Sequence, residues 1–266
     1  MKSELWNLVE GNSPLIATAI HNGHVVREEL RKIMVLKEAD QLREEDPFTS
    51  ELTEVAQSRL IGLKSRFEVD LNRPREKAVF INPEDAWGLN IYKEPPSQDM
   101  INRSLEEYDL FYGEVHRFLS DFQKRFSRFV VFDIHSYCYK RNGPGDLEAD
   151  PDTNPEVNIG TGTMNRDLWA PVVDRFISDM RSFNYLGSQL DVRENIKFKG
   201  GYFSKYIHEN FPESACVLSI EFKKFFMDEW AGKLFKEKFV AIKDALQSTV
   251  PGVLQELEKL SKGVKR

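Results

Sequence analysis

The chain has 266 residues, of which 41% are hydrophobic and 30% are charged. These values are typical of a globular protein with a substantial core, and we expect one domain over residues 1–266. The net charge of -6 argues against a surface for nucleic acid or for an anionic membrane. The only two cysteines, Cys138 and Cys216, favour reduced thiols in a cytoplasmic protein. We also expect neither a secretory signal nor a membrane span, because no apolar run is long enough.

Five stretches predict β-strands, because they are apolar and β-branched or because they alternate apolar with charged residues. In chain order these stretches are 15–20, 66–70, 129–137, 157–162 and 216–222. Apolar residues at helical spacing predict helices at 26–36, 50–63, 105–126 and 166–183, a short helix after the turn at 198–202, and helices from Lys233 and Val253. Alternating strands and helices indicate a three-layer α/β/α domain with a mixed central sheet.

Two further stretches are rich in Pro, Gly, Asn and Asp and predict irregular structure. Residues 82–99 should form an irregular excursion, and residues 140–155 a mobile surface loop that borders a site.

Polar side chains follow four of the predicted strands. They are His21, the pair Asn72-Arg73, His135 and Glu221, and the acidic pair Glu45-Asp46 precedes a predicted helix. In α/β proteins, functional groups gather where buried strands end at one edge of the sheet. We therefore expect these groups to form one site.

Two histidines and a carboxylate, with a fourth position open to water, are the ligands of a catalytic zinc ion. Zinc lowers the pKa of its water to about 7, and a separate carboxylate then transfers the proton to the leaving nitrogen. An arginine would stabilise the oxyanion or bind a substrate carboxylate.

Each of these residues also has a purely structural explanation. His21 could cap a turn, Glu45 and Asp46 could stabilise the helix dipole, and Arg73 could pair with Asp70. His208, in the predicted short helix, is expected to be structural.

The order of these groups resembles the zinc carboxypeptidase superfamily, and within it the N-formylglutamate amidohydrolase family. The resemblance spans about residues 14–230. It is carried by Ser65-Arg66, Val69-Asp70-Leu71-Asn72-Arg73-Pro74, Ile134-His135-Ser136-Tyr137, Asn158-Ile159-Gly160-Thr161, Phe198-Lys199-Gly200-Gly201-Tyr202, and Glu221 followed by Met227-Asp228-Glu229. It implies a phosphorylase/hydrolase-like fold of the zinc carboxypeptidase type.

The resemblance also implies roles for individual residues. Its zinc ligands would be His21, Asp46 and His135, with Glu45 and then His24 as alternatives to Asp46. Glu221 would be the general base and then the acid. The substrate carboxylate or the scissile carbonyl would be held by Asn72 and Arg73, and the pocket would also be lined by Arg66 and Tyr202.

The predicted activity is zinc-dependent removal of an N-formyl or N-acyl group from an amino acid such as N-formylglutamate. The partner is then a small-molecule N-acyl amino acid, and the oligomeric state stays open. Two alternatives remain: a carboxypeptidase-like peptidase that acts on short peptides, and a metal-free module that binds carboxylates.

Overall fold

The computed structural model describes residues 4–141, 143–145, 147 and 149–262. Seven strands form the central sheet: β1 (Trp6–Val9), β2 (Leu15–Ala19), β3 (Ser58–Gly62), β4 (Phe129–Tyr137), β5 (Val157–Gly160), β6 (Val192–Glu194) and β7 (Ala215–Lys223). Their spatial order is β1-β3-β2-β4-β7-β5-β6. A small hairpin of β8 (Met227–Asp228) and β9 (Lys233–Leu234) follows the sheet.

The sheet is mixed. Strands β3, β2, β4 and β7 are parallel to one another, whereas β1 pairs antiparallel with β3 and β5 pairs antiparallel with β7. The two nine-residue strands β4 and β7 form the centre, paired from Phe129 opposite Ala215 to Tyr137 opposite Lys223. Both are buried nearly throughout, which explains their almost continuous apolar sequence.

Helices cover both faces of the sheet. They are α1 (Glu28–Arg31), α2 (Glu38–Glu44), α3 (Thr49–Leu52), α4 (Gln98–Phe126), α5 (Arg166–Ser182), α6 (Tyr202–Asn210) and α7 (Lys236–Lys262). Val130 and Phe132 of β4 pack on the face covered by α5 and α7, whereas Phe129 and Val131 pack on the face covered by α4 and α6. The predicted three-layer α/β arrangement with a mixed sheet is therefore confirmed. No helix in the described part of the chain has the length and apolar run that a membrane span requires.

The predicted helix at 50–63 is wrong. Helix α3 ends at Leu52, a 3-10 turn covers Thr53–Val55, and residues 58–62 form β3. Leu60 joins the sheet opposite Thr18 of β2 because that pairing buries its side chain in the core. Packing in the sheet thus overrides the helical spacing of the leucines.

The predicted strand at 66–70 is also wrong. These residues form turns, in which the Glu68 N–H donates to the Ser65 carbonyl. The alternation suggested a half-exposed strand, but Glu68 and Asp70 are fully buried. Each is stabilised by an arginine, Arg27 for Glu68 and Arg66 for Asp70.

Four of the predicted helices need new limits. The helix expected at 26–36 shrinks to α1, and the one expected at 105–126 begins earlier, at Gln98. The two C-terminal helices are one continuous helix, α7, although Pro251 lies inside it. Gly252 and Val253 pack in the core beside α5, so tertiary contacts outweigh the proline.

The short helix α6 carries a buried histidine, His208, beside β7. His208 Nε2 accepts the Val217 N–H of β7 at 3.0 Å, and its Nδ1 lies 2.9 Å from Thr163 Oγ1. Burial lowers the pKa of His208 to about 4. The imidazole is therefore neutral in the folded protein at neutral pH, as expected for a structural histidine.

We predict that His208 makes stability pH-dependent. Since its folded pKa of about 4 lies below the ordinary 6.5, its contribution is complete above pH 6.5 and is lost as the pH falls towards 4. Within that window the wild type should lose about 1.4 kcal/mol per pH unit more than His208→Gln, which keeps an acceptor for Val217. Urea unfolding of both proteins across the window tests this, and parallel curves would contradict it.

Candidate metal centre and active site

The site begins where the apolar surface of β4 ends. Side chains two residues apart on a strand share a face, so Asp133, His135 and Tyr137 continue the row of Phe129 and Val131. Phe129 and Val131 belong to the apolar cluster under α4, whereas the three later side chains lie outside that cluster. The sheet thus presents buried polar groups at the carboxyl end of its central strand.

Three of the predicted residues converge there. His21, which follows β2, Asp46, which follows α2, and His135 on β4 are at most 3% exposed. Asp46 Oδ2 lies 3.0 Å from His135 Nδ1 and 3.6 Å from His21 Nδ1. A main-chain hydrogen bond of 3.0 Å from the Asp46 N–H to the His21 carbonyl ties the two segments. The three ligand atoms lie within 4.8 Å of one another and could hold a metal ion.

Each imidazole has a carboxylate at its far nitrogen. His21 Nε2 hydrogen-bonds Asp70 Oδ1 at 2.8 Å, and His135 Nε2 lies 3.1 Å from Asp133 Oδ2. Thr18 donates to the other oxygen of Asp133 at 2.8 Å. A carboxylate at the far nitrogen favours the ring orientation in which Nδ1 faces Asp46, where it could ligate a metal.

The sequence analysis did not assign Asp70 or Asp133 to the site, although their positions in the sequence could have indicated it. Asp133 precedes His135 by two residues on a strand, and Asp70 begins the Asn72-Arg73 segment. Burial opposes the ionisation of Asp70, but Arg66 at 2.8 Å and His21 outweigh it and hold its pKa well below its ordinary value.

The two alternative ligands lie elsewhere. His24 Nδ1 and Glu45 Oε2 contact each other at 2.5 Å, and Glu45 also accepts from Gln41 and Ser65. Glu45 has an extended backbone, so its side chain points away from that of Asp46. Burial raises the pKa of Glu45 although these hydrogen bonds oppose the rise. The structure thus brings Asp46, and neither Glu45 nor His24, to the two histidines.

Glu221 lies beside this cluster. It pairs with His135 across β4 and β7, and with Asn158 across β5 and β7. Residues directly opposite each other in a sheet project from the same face. Burial raises the pKa of Glu221 to about 7, with a smaller opposing effect from His135. A carboxyl group with such a pKa can both accept and donate a proton near neutral pH.

These groups line a cavity of about 350 Å³. Arg66 and Asn72 are on its wall, as predicted. Arg73 was predicted to bind substrate but is not among the lining residues; its guanidinium lies 4.4 Å from the Phe80 ring centroid and its Nε 3.6 Å from Asp70. The remaining lining side chains and glycines are Glu44, Trp87, Ser136, Tyr137, Cys138, Arg141, Lys197, Phe198, Lys199, Gly200, Gly201 and Lys224.

Tyr202 supports the wall and is not among the lining residues. Its N–H donates to the Asn72 carbonyl at 3.2 Å, and its ring packs on Tyr112 and Tyr206. The loop predicted at 140–155 reaches the cavity through Arg141, whose Nη1 donates to both oxygens of Glu44. Positions 142, 146 and 148 lie outside the described residues, and the mobility of this loop stays a prediction.

Gly201 allows two segments of the wall to meet. Asn72 Oδ1 accepts the Phe203 N–H at 3.0 Å, so the asparagine lies against the start of α6. A Cβ atom on Gly201 would lie 2.2 Å from Asn72 Oδ1, which is too close for any side chain. The Gly-Gly pair in the sequence is therefore a close-contact position as well as a turn.

The fold and this group of side chains define the class: an α/β protein with a buried His-Asp-His group beside a carboxylate at the sheet's carboxyl edge. Within that class the chain belongs to the N-formylglutamate amidohydrolase family, whose model matches residues 13–226. The resemblance inferred from the sequence is thereby confirmed. Membership supports an enzyme that hydrolyses an amide of a small molecule.

Solved structures agree with the fold. The chain is similar to the N-formylglutamate amidohydrolase from Ralstonia eutropha JMP134, with 17% identity, a TM-score of 0.73, and coverage of 98% of this chain and 100% of the other. It is also similar to a gene product from Agrobacterium tumefaciens, with 16% identity, a TM-score of 0.64 and coverage of 94% and 96%. No curated protein matches the sequence.

We predict that Gly201→Ala destabilises the protein by about 1–3 kcal/mol, because the added methyl group overlaps Asn72. The matched control is Gly113→Ala in α4, where no atom lies within 4 Å of the added carbon. That change should stabilise the helix by about 0.5–1 kcal/mol. Denaturant unfolding measures both effects, and equal shifts would show that the contact with Asn72 is unimportant.

Proposed function

We propose that this protein is a zinc-dependent amidohydrolase that removes an N-formyl or other N-acyl group from an amino acid such as N-formylglutamate. The observation that carries the proposal is the convergence of His21, Asp46 and His135 beside Glu221 in a chain of this family. The proposal treats residues 1–266 as one domain. We expect it to act in the cytoplasm, consistent with the buried and unpaired Cys138 and Cys216.

The donor set suits zinc. Zinc ligands in a tetrahedral site with bonds of 2.0–2.2 Å lie roughly 3.3 Å apart. The distances of 3.0 and 3.6 Å from Asp46 Oδ2 to the two Nδ1 atoms bracket that value. When bound, zinc would act as a Lewis acid and make hydroxide available at neutral pH. Asp70 and Asp133 would keep the imidazoles oriented towards the ion.

Glu221 would carry the proton. It would accept a proton from the attacking water and then deliver it to the amide nitrogen as the C–N bond breaks. Its position opposite His135 in the sheet supports this role, because it puts the carboxylate next to the metal ligands without making it one. The raised pKa suits a group that must act first as base and then as acid.

The wall with Asn72 and Arg66 would bind the substrate carboxylate. The Asn72 oxygen is used by Phe203, so its amide NH₂ is the group that can donate into the cavity. Arg66 Nη1 donates to the Glu44 carbonyl at 3.2 Å, and Nη2 to Asp70 at 2.8 Å, which fixes its guanidinium plane. Arg73 would add positive charge next to Asp70, and Tyr202 would position Asn72. This arrangement favours a small acid as substrate.

The metal can be tested directly. Purified protein should bind about one zinc ion per chain, and His21→Ala and Asp46→Ala should weaken zinc binding by at least about 100-fold, because each removes a ligand. Glu45→Gln is the matched control, since its hydrogen bonds lie away from the cluster. Metal analysis and zinc titration are the measurements. If Glu45→Gln loses zinc while Asp46→Ala keeps it, the ligand assignment is wrong, and absence of zinc binding by the wild type favours the carboxylate-binding module.

The role of Glu221 is tested by Glu221→Gln. This variant should retain zinc but lose at least about 100-fold in kcat, because the amide cannot accept a proton. Glu258→Gln, on α7 and paired with Lys262, is the control for a loss of charge elsewhere. A panel of N-acyl amino acids and short peptides should be assayed. Unchanged turnover by Glu221→Gln would rule out its role, and preference for peptides would favour the peptidase.

A further inference from the structure

The largest apolar side chain on the described lining of the cavity has no role in the proposed reaction. It is Trp87, which is 50% exposed. Exposure alone means little, because single apolar side chains are common on protein surfaces. What distinguishes Trp87 is the conformation of its backbone and the side chain that it contacts.

The backbone of Trp87 is held in a conformation that bulky residues rarely adopt. Its φ is 56°, in the left-handed region. The turn before it is fixed, because Asp85 Oδ2 accepts the Asn82 N–H at 2.9 Å. The Gly88 N–H closes the turn by donating to the Pro83 carbonyl at 2.8 Å. A left-handed tryptophan costs free energy, and backbone strain of this kind is concentrated at functional sites.

The indole contacts the arginine that would hold the substrate carboxylate. Arg66 Cζ lies 4.8 Å from the Trp87 ring centroid. The ring also meets that of Phe80 in a T-shaped arrangement, with the centroids 6.0 Å apart. A guanidinium over an indole is a favourable cation–π contact. The two contacts therefore fix the indole next to the carboxylate-binding group.

Arg66 keeps the donors that a carboxylate needs, although it pairs with Asp70. A guanidinium has five N–H groups. Two of those of Arg66 donate to Asp70 and one to the Glu44 carbonyl, which leaves two without a partner among the described residues. The donors project from the edge of the planar guanidinium, so a ring over its face does not block them. Arg66 can thus bind a substrate carboxylate while it contacts Trp87.

This arrangement places the substrate's side chain near the indole. In an N-acyl amino acid, the side chain begins on the carbon next to the carboxylate. A carboxylate bound by Arg66 and Asn72 therefore brings that side chain close to Trp87. A large apolar side chain would cover the exposed indole surface, whereas a methyl group would cover little of it. Burial of apolar surface is favourable roughly in proportion to its area.

We propose that Trp87 binds the side chain of the substrate's amino-acid part, so that the protein also hydrolyses N-acyl derivatives of amino acids with a large apolar side chain. This rests on the proposed function, in which Arg66 and Asn72 hold the carboxylate. Trp87 is then a specificity-determining residue that takes no part in the proton transfers. The carboxylate is common to all substrates, and the indole distinguishes them by their side chains.

The test compares N-formylphenylalanine with N-formylalanine, which has the same amide and carboxylate but a methyl side chain. Each reaction consumes one water molecule, breaks the C–N bond, and releases formate and the free amino acid. The wild type should have the higher kcat/KM for N-formylphenylalanine. Trp87→Asn, which suits a left-handed backbone, should lower that value by about 10- to 100-fold, the range for a lost apolar contact. The value for N-formylalanine should change little, and Trp87→Phe should retain the preference.

Leu186→Asn is the matched control. Leu186 is 51% exposed and has a φ of 48°. Like Trp87, it precedes a glycine with a φ of 89°. It is not among the described lining residues of the cavity, so this variant should hydrolyse both substrates as the wild type does. Equal losses of kcat/KM in Leu186→Asn and Trp87→Asn would show that the indole has no specific role.

Calorimetric binding of 3-phenylpropionate and of propionate gives a second readout that does not require turnover. The wild type should bind 3-phenylpropionate more tightly, and Trp87→Asn should remove that difference. If the wild type hydrolyses no N-acyl amino acid but this difference depends on Trp87, the proposed function fails and the apolar site stands. If N-formylglutamate is hydrolysed but N-formylphenylalanine is no better a substrate than N-formylalanine, or if its advantage survives in Trp87→Asn, the proposed function stands and the role of Trp87 is overturned.

Discussion

An excess of buried negative charge organises this site. Asp46, Asp70 and Asp133 are buried around two imidazoles, with the half-buried Glu221 beside them, and Arg66 forms its ion pair with one of these groups, Asp70. Burying such charge without compensation costs several kcal/mol per group. A positive charge held between the imidazoles would relieve that cost.

The pKa of His135 shows the effect of this excess negative charge. Burial favours its neutral form, yet Asp133, Glu221 and Asp46 outweigh burial and raise its pKa well above the ordinary value. The same negative potential that retains a proton on the ring would stabilise a divalent cation bound at Nδ1. A proton and the proposed zinc ion would therefore compete for His135 Nδ1. The same surrounding carboxyl groups favour both.

The sequence was most informative where the chain is continuous and strongly patterned. The apolar runs of β2, β4 and β7, and the histidines that end two of them, predicted the centre of the sheet and most of the candidate site. The sequence was least informative in residues 50–70. There, polar side chains that are buried in the structure give the sequence the same alternation as an exposed amphipathic helix or strand. The choice of Asp46 over Glu45 could not be read from spacing, because adjacent residues differ only in the direction that the backbone gives them. Nor could spacing show that Lys197 faces the cavity, since its position depends on hydrogen bonds to Asn158, 39 residues away.

The antiparallel strand β5 has a consequence for how this protein can diverge. Because β5 runs against β7, the residue beside Glu221 comes from the start of that strand, and the 197–199 segment reaches the cavity only after β6. The parts proposed for hydrolysis come from the ends of β2 and α2 and from β4 and β7, whereas the cavity wall at residues 197–201 belongs to the segment that includes β5, α5 and β6 between β4 and β7. Substitutions in that segment can change which substrates bind without altering the residues proposed for hydrolysis. Paralogues with new substrate preferences can therefore arise from changes in one contiguous stretch of the gene.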